Sequence, residues 1–162
     1  MSIAPSVSFF NATTNTVIDS GSNPWEAGQI KVGQSSGDDG LSSILHLQVW
    51  NNKGGSQTLA NMQDVTMYVV DSTPLSIVTN GTCWLQAKCT SLGQSSFTPL
   101  TTNYSTSMMI GAAGMSNYQI SGVYPTSGLN HADVDLKFVV PDLQAISAGT
   151  RNFSVAVKYF YV

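Results

Sequence analysis

The sequence predicts an all-β fold, an antiparallel β-sandwich of the immunoglobulin-like or jelly-roll-like kind, and three observations carry that expectation. Segments 44–50 and 65–70 alternate apolar and polar residues with period two, the pattern of a strand with one face in a core. Further short strand-like runs recur between turn signals spaced about 8–12 residues apart. No segment repeats apolar residues at helical spacing over three turns.

In chain order, Val7-Ser8-Phe9-Phe10 and Thr16-Val17-Ile18 read as edge strands or as an N-terminal arm spanning residues 1–24, expected to be docked on something. The turn Asn23-Pro24-Trp25-Glu26-Ala27-Gly28 leads into Gln29-Ile30-Lys31-Val32, and Gly33–Gly40 reads as a loop. Asp38 and Asp39 lack the spacing of a calcium loop and read as a solvated hairpin tip. Leu45, Leu47 and Val49 share one strand face, with His46, Gln48 and Trp50 on the other. Val65, Met67 and Val69 repeat the pattern after the Gly54-Gly55 turn, which implies a core between two sheets.

Asn80-Gly81 is the strongest hairpin signal and joins Leu75–Val78 to Cys83–Cys89. That second run reads as one strand with Cys83, Leu85, Ala87 and Cys89 inward and Trp84 outward. At about 3.3 Å per residue its thiols stand too far apart for a disulfide, so both are expected buried and free. Met108 to Met115 is the least polar stretch, either a core strand with a small-residue turn or a subunit contact. Val134–Val140 alternates and ends at Pro141, residues 143–149 read as a crossover with one helical turn, and Phe153, Val155, Val157, Tyr159 and Tyr161 line one face of a closing strand.

Length and charge bound the functional classes. At 162 residues the chain is expected to form one domain, 1–162. Charged residues are 9%, far below the usual quarter or so, so little electrostatic repulsion keeps copies apart. Six Lys and Arg against nine Asp and Glu offer no basic cluster for phosphates, and nucleic acid is not an expected partner. No apolar run reaches the ~20 residues of a membrane span, and residues 1–6 do not resemble a signal peptide, so no membrane partner is expected.

No catalytic residue, metal site or cofactor is expected, because no nucleophile, zinc or phosphate-loop pattern occurs. His131, Asp133 and Asp135 share a strand face at a spacing poorly suited to a metal. The Asn-x-Ser/Thr matches at Asn11, Asn80, Asn103 and Asn152 are those that a chain rich in Asn, Ser and Thr generates by chance. Two sets of contact residues remain. Met108, Met109, Ile110, Met115, Phe9 and Phe10 are candidates for a protein interface. Trp25, Trp84, Tyr118 and Tyr124 are candidate stacking platforms for a glycan.

The run Val49-Trp50-Asn51-Asn52-Lys53-Gly54-Gly55, the ending from Val140-Pro141 through Ala148-Gly149 to Phe153-Ser154-Val155, and the low charge resemble the small all-β accessory proteins of tailed-bacteriophage particles. The ending is also similar to the last two strands of many immunoglobulin-like domains. The resemblance implies a non-catalytic virion structural or decoration protein at the capsid, neck, tail or fibre, made in the host cytoplasm, whose partners are its own copies or other virion proteins. It transfers no functional residues. The alternative is a carbohydrate- or receptor-binding β-sandwich module.

Overall fold

A computed structural model describes residues 2–19, 21–28, 30, 40–72, 76–79, 81–102, 107–141 and 149–162. The fold is all-β, with antiparallel sheets packed face to face. The larger sheet contains β1 (Val7–Asn11), β2 (Thr16–Ile18), β4 (Leu45–Asn51), β8 (Leu85–Cys89), β9 (Thr98–Pro99) and β11 (His131–Val140) in the order β2-β1-β4-β11-β8-β9. There β3 (Gly40–Leu41) pairs with the end of β11. The smaller sheet runs β10-β5-β12, formed by Met108–Met109, Gln63–Ser72 and Asn152–Phe160.

The two alternating segments therefore sit in opposite layers. Leu45, Leu47 and Val49 of β4 face Val65, Met67 and Val69 of β5 across the core, all six buried. Each such aliphatic side chain taken out of water contributes roughly 1.5–3 kcal/mol, which makes this contact the centre of the fold. Ala132, Val134, Leu136 and Phe138 of β11 add to the same layer as β4, and Pro141, which has no N–H to donate, follows the last strand residue.

The cysteine-bearing run needs revision. Cys83–Cys89 is not one strand: β7 (Thr82–Cys83) pairs with β6 (Val78–Thr79) around the expected Asn80-Gly81 loop, and β8 begins only at Leu85. Between them Trp84 donates its N–H to the Ile77 carbonyl and accepts from the Val139 N–H, each at 2.8 Å, so the chain turns from one partner to another. Cys83, Trp84 and Leu85 are buried in succession and period two fails. Residues 7–18 hold paired strands at the edge of the larger sheet, the first of the two expected readings, with Phe9 opposite both Ile18 and Val49. The expected loop at 33–40, the aspartates 38 and 39, and the helical turn at 143–149 lie outside the described residues, apart from Gly40 and Gly149. Neither cysteine is in a disulfide and both are buried, as expected.

Among the described residues, no helix is long and apolar enough to cross a membrane.

Candidate contact surface

Three buried asparagines build one end of the molecule. Asn51, at the end of β4, accepts from the Ser6 N–H and donates to the carbonyls of Ala60 and Ile120. Asn52 donates to the carbonyls of Gln57 and Gly122. Asn130 donates to those of Ser121 and Val123 and accepts from the Ser127 N–H. A buried carbonyl without a donor costs about 1–3 kcal/mol, and these amides donate to loop carbonyls, two of which, Ile120 and Gly122, also accept a backbone N–H.

The loops are tied to the sheets at further points. Met62 and Ile120 exchange backbone hydrogen bonds, Leu59 donates to Gly122, and Ala60 donates to Ile3. Gly122 is obligatory here, since a Cβ would fall 2.4 Å from the Ala60 carbonyl oxygen and 2.5 Å from that of Leu59.

On this pinned scaffold stand exposed apolar side chains: Ile3, Tyr118, Val123, Tyr124 and Leu129, each between 41% and 49% exposed. Asn117 and Tyr118 both have left-handed backbone, φ 52° and 50°, which for a bulky residue costs on the order of 1–3 kcal/mol. The strained pair is held by the Val65 N–H on the Tyr118 carbonyl at 3.1 Å, and Gly111 makes room, because a Cβ there would lie 3.0 Å from the Tyr118 Cα.

The same end is uncharged. Residues 2–18, 54–63 and 89–132 contain no Asp, Glu, Lys or Arg. Asp64, whose N–H meets the Asn117 carbonyl at 3.4 Å, and Lys53 mark its borders.

Charge collects instead on the outer face of the larger sheet. His46 Nδ1 lies 2.6 Å from Asp135 Oδ1, and Lys88 Nζ lies 3.2 Å from Asp135 Oδ2. Gln48 donates to Asp133, and Trp50 donates its indole N–H to Gln48. The His131 ring stacks on Trp50 at 4.3 Å, and its Nε2 is 3.5 Å from Asp133. Burial holds the His131 imidazole below its ordinary value, with Asp133 opposing and Lys53 adding to the fall. Lys53 lies 3.6 Å from the Phe10 ring centroid and 4.6 Å from that of Trp50, and it donates to Asn15. The ladder is cross-strand pairing between β4, β11 and β8. Among the described residues, no group of three His, Cys, Asp or Glu is placed to hold a metal.

The candidate residues separate under this geometry. Met115, Tyr118 and Tyr124 belong to the uncharged end. Ile110 is fully buried beside β5, and Trp84 is buried with its indole N–H on Thr79 Oγ1 and the Arg151 guanidinium 4.6 Å from its ring, so neither presents a free surface. Trp25 is half-buried, stacked on Phe138 at 5.9 Å and edge-on to Phe153 at 6.2 Å. Phe9 and Met108 pack against the core, Met109 lies opposite Thr66, and Phe10 is capped by Lys53. Sequence reasoning missed Ile3, Val123 and Leu129, although the long uncharged run around the last two is legible in the chain.

No protein-family model, curated protein or solved structure matches the chain.

Proposed function

We propose that this protein is a non-catalytic structural module that acts by binding copies of itself or a larger protein shell, as a virion decoration or accessory protein would, and that the uncharged end makes the contact. The observation that carries the reading is the pairing of exposed apolar side chains with segments free of Asp, Glu, Lys and Arg, on loops pinned by Asn51, Asn52 and Asn130. Exposed apolar patches mark contact sites, and a surface rigid before binding loses less entropy on docking. The strain at Tyr118 fits the same role, since unfavourable backbone conformations concentrate where a side chain must be presented.

The test is assembly in analytical ultracentrifugation, together with attachment to particles, for the native chain and for a variant carrying both Val123→Asp and Tyr124→Asp. Assembly should vary little between low salt and about 1 M salt, because screening acts on charges. The double variant should abolish it. A native chain that stays monomeric and attaches to no particle would overturn the reading, and unchanged assembly in the variant would overturn the choice of this end.

A second reading, a module for neutral glycans, is favoured by Tyr118 and Tyr124, aromatic rings about half exposed on the same loops. Titration with uncharged oligosaccharides separates the two readings, since saturable quenching of tyrosine fluorescence by sugar belongs only to the second.

A further inference from the structure

The chain has two histidines, and they stand on the outer face of the larger sheet in opposite circumstances. The His46 side chain is 55% exposed, and its Nδ1 meets Asp135 Oδ1 at 2.6 Å. The His131 side chain is only 16% exposed and stacks on Trp50, with ring centroids 4.3 Å apart and 27° between the planes. Its Nε2 is 3.5 Å from Asp133 Oδ2, whereas its Nδ1 is buried and has no hydrogen-bond partner among the described residues. A carboxylate only accepts, so the neutral ring directs its single N–H from Nε2 towards Asp133 and leaves the Nδ1 lone pair bare. A proton arriving on Nδ1 becomes a donor without an acceptor, on a charged ring held away from water.

The neighbouring charges do not offset this cost. Asp133, on the same strand, favours the imidazolium, but it also accepts from the Gln48 amide. Lys53, in the turn after β4 and 4.6 Å from the Trp50 ring centroid, opposes it. β4 otherwise presents Trp50 and Gln48, and β1 presents Ser8 and Phe10 opposite them, none of which titrates. On the β8 side Lys88 pairs with Asp135, the same carboxylate that holds His46. With burial as the largest influence, the His131 pKa lies below the ordinary 6.5. Because the folded value is below the unfolded one, this contribution to stability is complete above the ordinary value and is lost as the pH falls beneath it.

The place of this pair in the fold gives its titration a reach beyond the ring. His131 and Trp50 face each other at the end of the β4–β11 register. Asn130 precedes His131, and Asn51 and Asn52 follow Trp50, so the three amides that pin the uncharged end adjoin the pair directly. Bringing Nδ1 to water means moving the ring off Trp50 at the point where both strands enter those loops. We propose that His131 is a proton-sensitive latch on the uncharged end: proton uptake at Nδ1 loosens the His131–Trp50 pair and the loops beside it. The contact made by that end then weakens as the pH falls, histidine being the side chain that ordinarily changes charge near neutral pH. This inference gives the contact reading a means of regulation and rests on it.

Proton uptake and loosening can be followed together in the free chain. Titration by NMR should show the His131 ring taking up its proton below the ordinary 6.5. Over the same span the amides of Asn52, Ser121 and Asn130, bonded to the carbonyls of Ser6, Leu129 and Ser127, should become at least about tenfold less protected. Val139, at the far end of β11 and bonded to Trp84, should keep its protection. His131→Phe retains a ring for Trp50 and cannot ionise, so it should remove the loosening, whereas His46→Gln should retain it. Asp133→Asn should move the midpoint to lower pH and Lys53→Gln to higher pH, opposite shifts that a merely structural role does not produce and that decide the matter even if His131→Phe fails to fold. Equal loss of protection at Val139, loosening that persists in His131→Phe or vanishes in His46→Gln, or amides indifferent to the His131 titration would overturn the proposal. Assembly of the native chain should weaken across the same interval, and assembly that holds while the end loosens would overturn the control of contact. None of the exchange measurements needs assembly, so a chain that assembles at no pH and attaches to no particle overturns the contact reading and is told apart from failure of the latch.

Discussion

Asn52 Nδ2 donates to the carbonyl oxygen of Gly122 at 2.7 Å, joining the end of the first core strand to a loop 70 residues further along the chain. The bond is buried, and Gly122 can approach because it has no Cβ. Around this pair the uncharged end is assembled, and its stability is open to measurement.

Removing an amide from the cluster should leave loop carbonyls buried without donors. Asn51→Ala strands the Ala60 carbonyl and the Ser6 N–H, at about 1–3 kcal/mol for each group that water cannot reach, while the Ile120 carbonyl keeps the Met62 N–H. Chemical denaturation should show a loss of at least about 2 kcal/mol. A loss below about 0.5 kcal/mol, the level of an ordinary surface change, would show that the amide is not structural.

Gly122→Ala should be among the most damaging small substitutions in the chain. A methyl 2.4 Å from one backbone oxygen and 2.5 Å from another forces the 57–62 and 120–123 segments apart, and no flexible side chain is there to give way. Thermal unfolding should fall by several degrees, whereas Gly81→Ala, with no atom within 4 Å, should show only the penalty for its φ of 77°.

Asp19 gives the stability a local pH dependence on the acid side. The Asp19 carboxylate accepts from the Ser22 N–H and hydroxyl and from the Gly21 and Asn23 N–H groups, and these bonds lower its pKa to about 2 from an ordinary 3.8. Because the folded value lies below the unfolded one, the contribution is complete above the ordinary value and is lost as the pH falls towards about 2. A carboxyl titration by NMR should place Asp19 at about 2, below the ordinary 3.8, and Asp19→Asn should remove that step.

Phe153 meets Phe138 at 5.0 Å in a T-shaped contact and Trp25 edge-on, but it is only partly buried. Phe153→Ala should therefore cost about 2–3 kcal/mol, below the roughly 3–5 kcal/mol of a fully enclosed ring. Equilibrium unfolding of the variant in urea measures it, and a loss under about 1 kcal/mol would detach the ring from the core.

Both cysteines are buried and neither is in a disulfide, so alkylation should modify neither thiol in the native chain and both after denaturation. One modified thiol under native conditions would show that β7 or β8 opens locally.

The sequence by itself determined the strands and their inward faces, because alternation is written residue by residue and burial follows it in β4, β5 and β11. It also determined the pairing of β6 with β7 and the lack of charge, both local properties. Only the tertiary structure decided which layer each strand joins, since period two tells inside from outside but not one sheet from another. Trp84 shows the limit: its place in the run suggested an outward ring, and it is buried, with its N–H bonded to the Ile77 carbonyl and its own carbonyl to the Val139 N–H of β11. The uncharged end was half legible. Its composition could be read directly, but its rigidity comes from Asn51, Asn52 and Asn130, whose partners lie up to 70 residues away, and hydrogen bonds at that range exist only once the layers have packed.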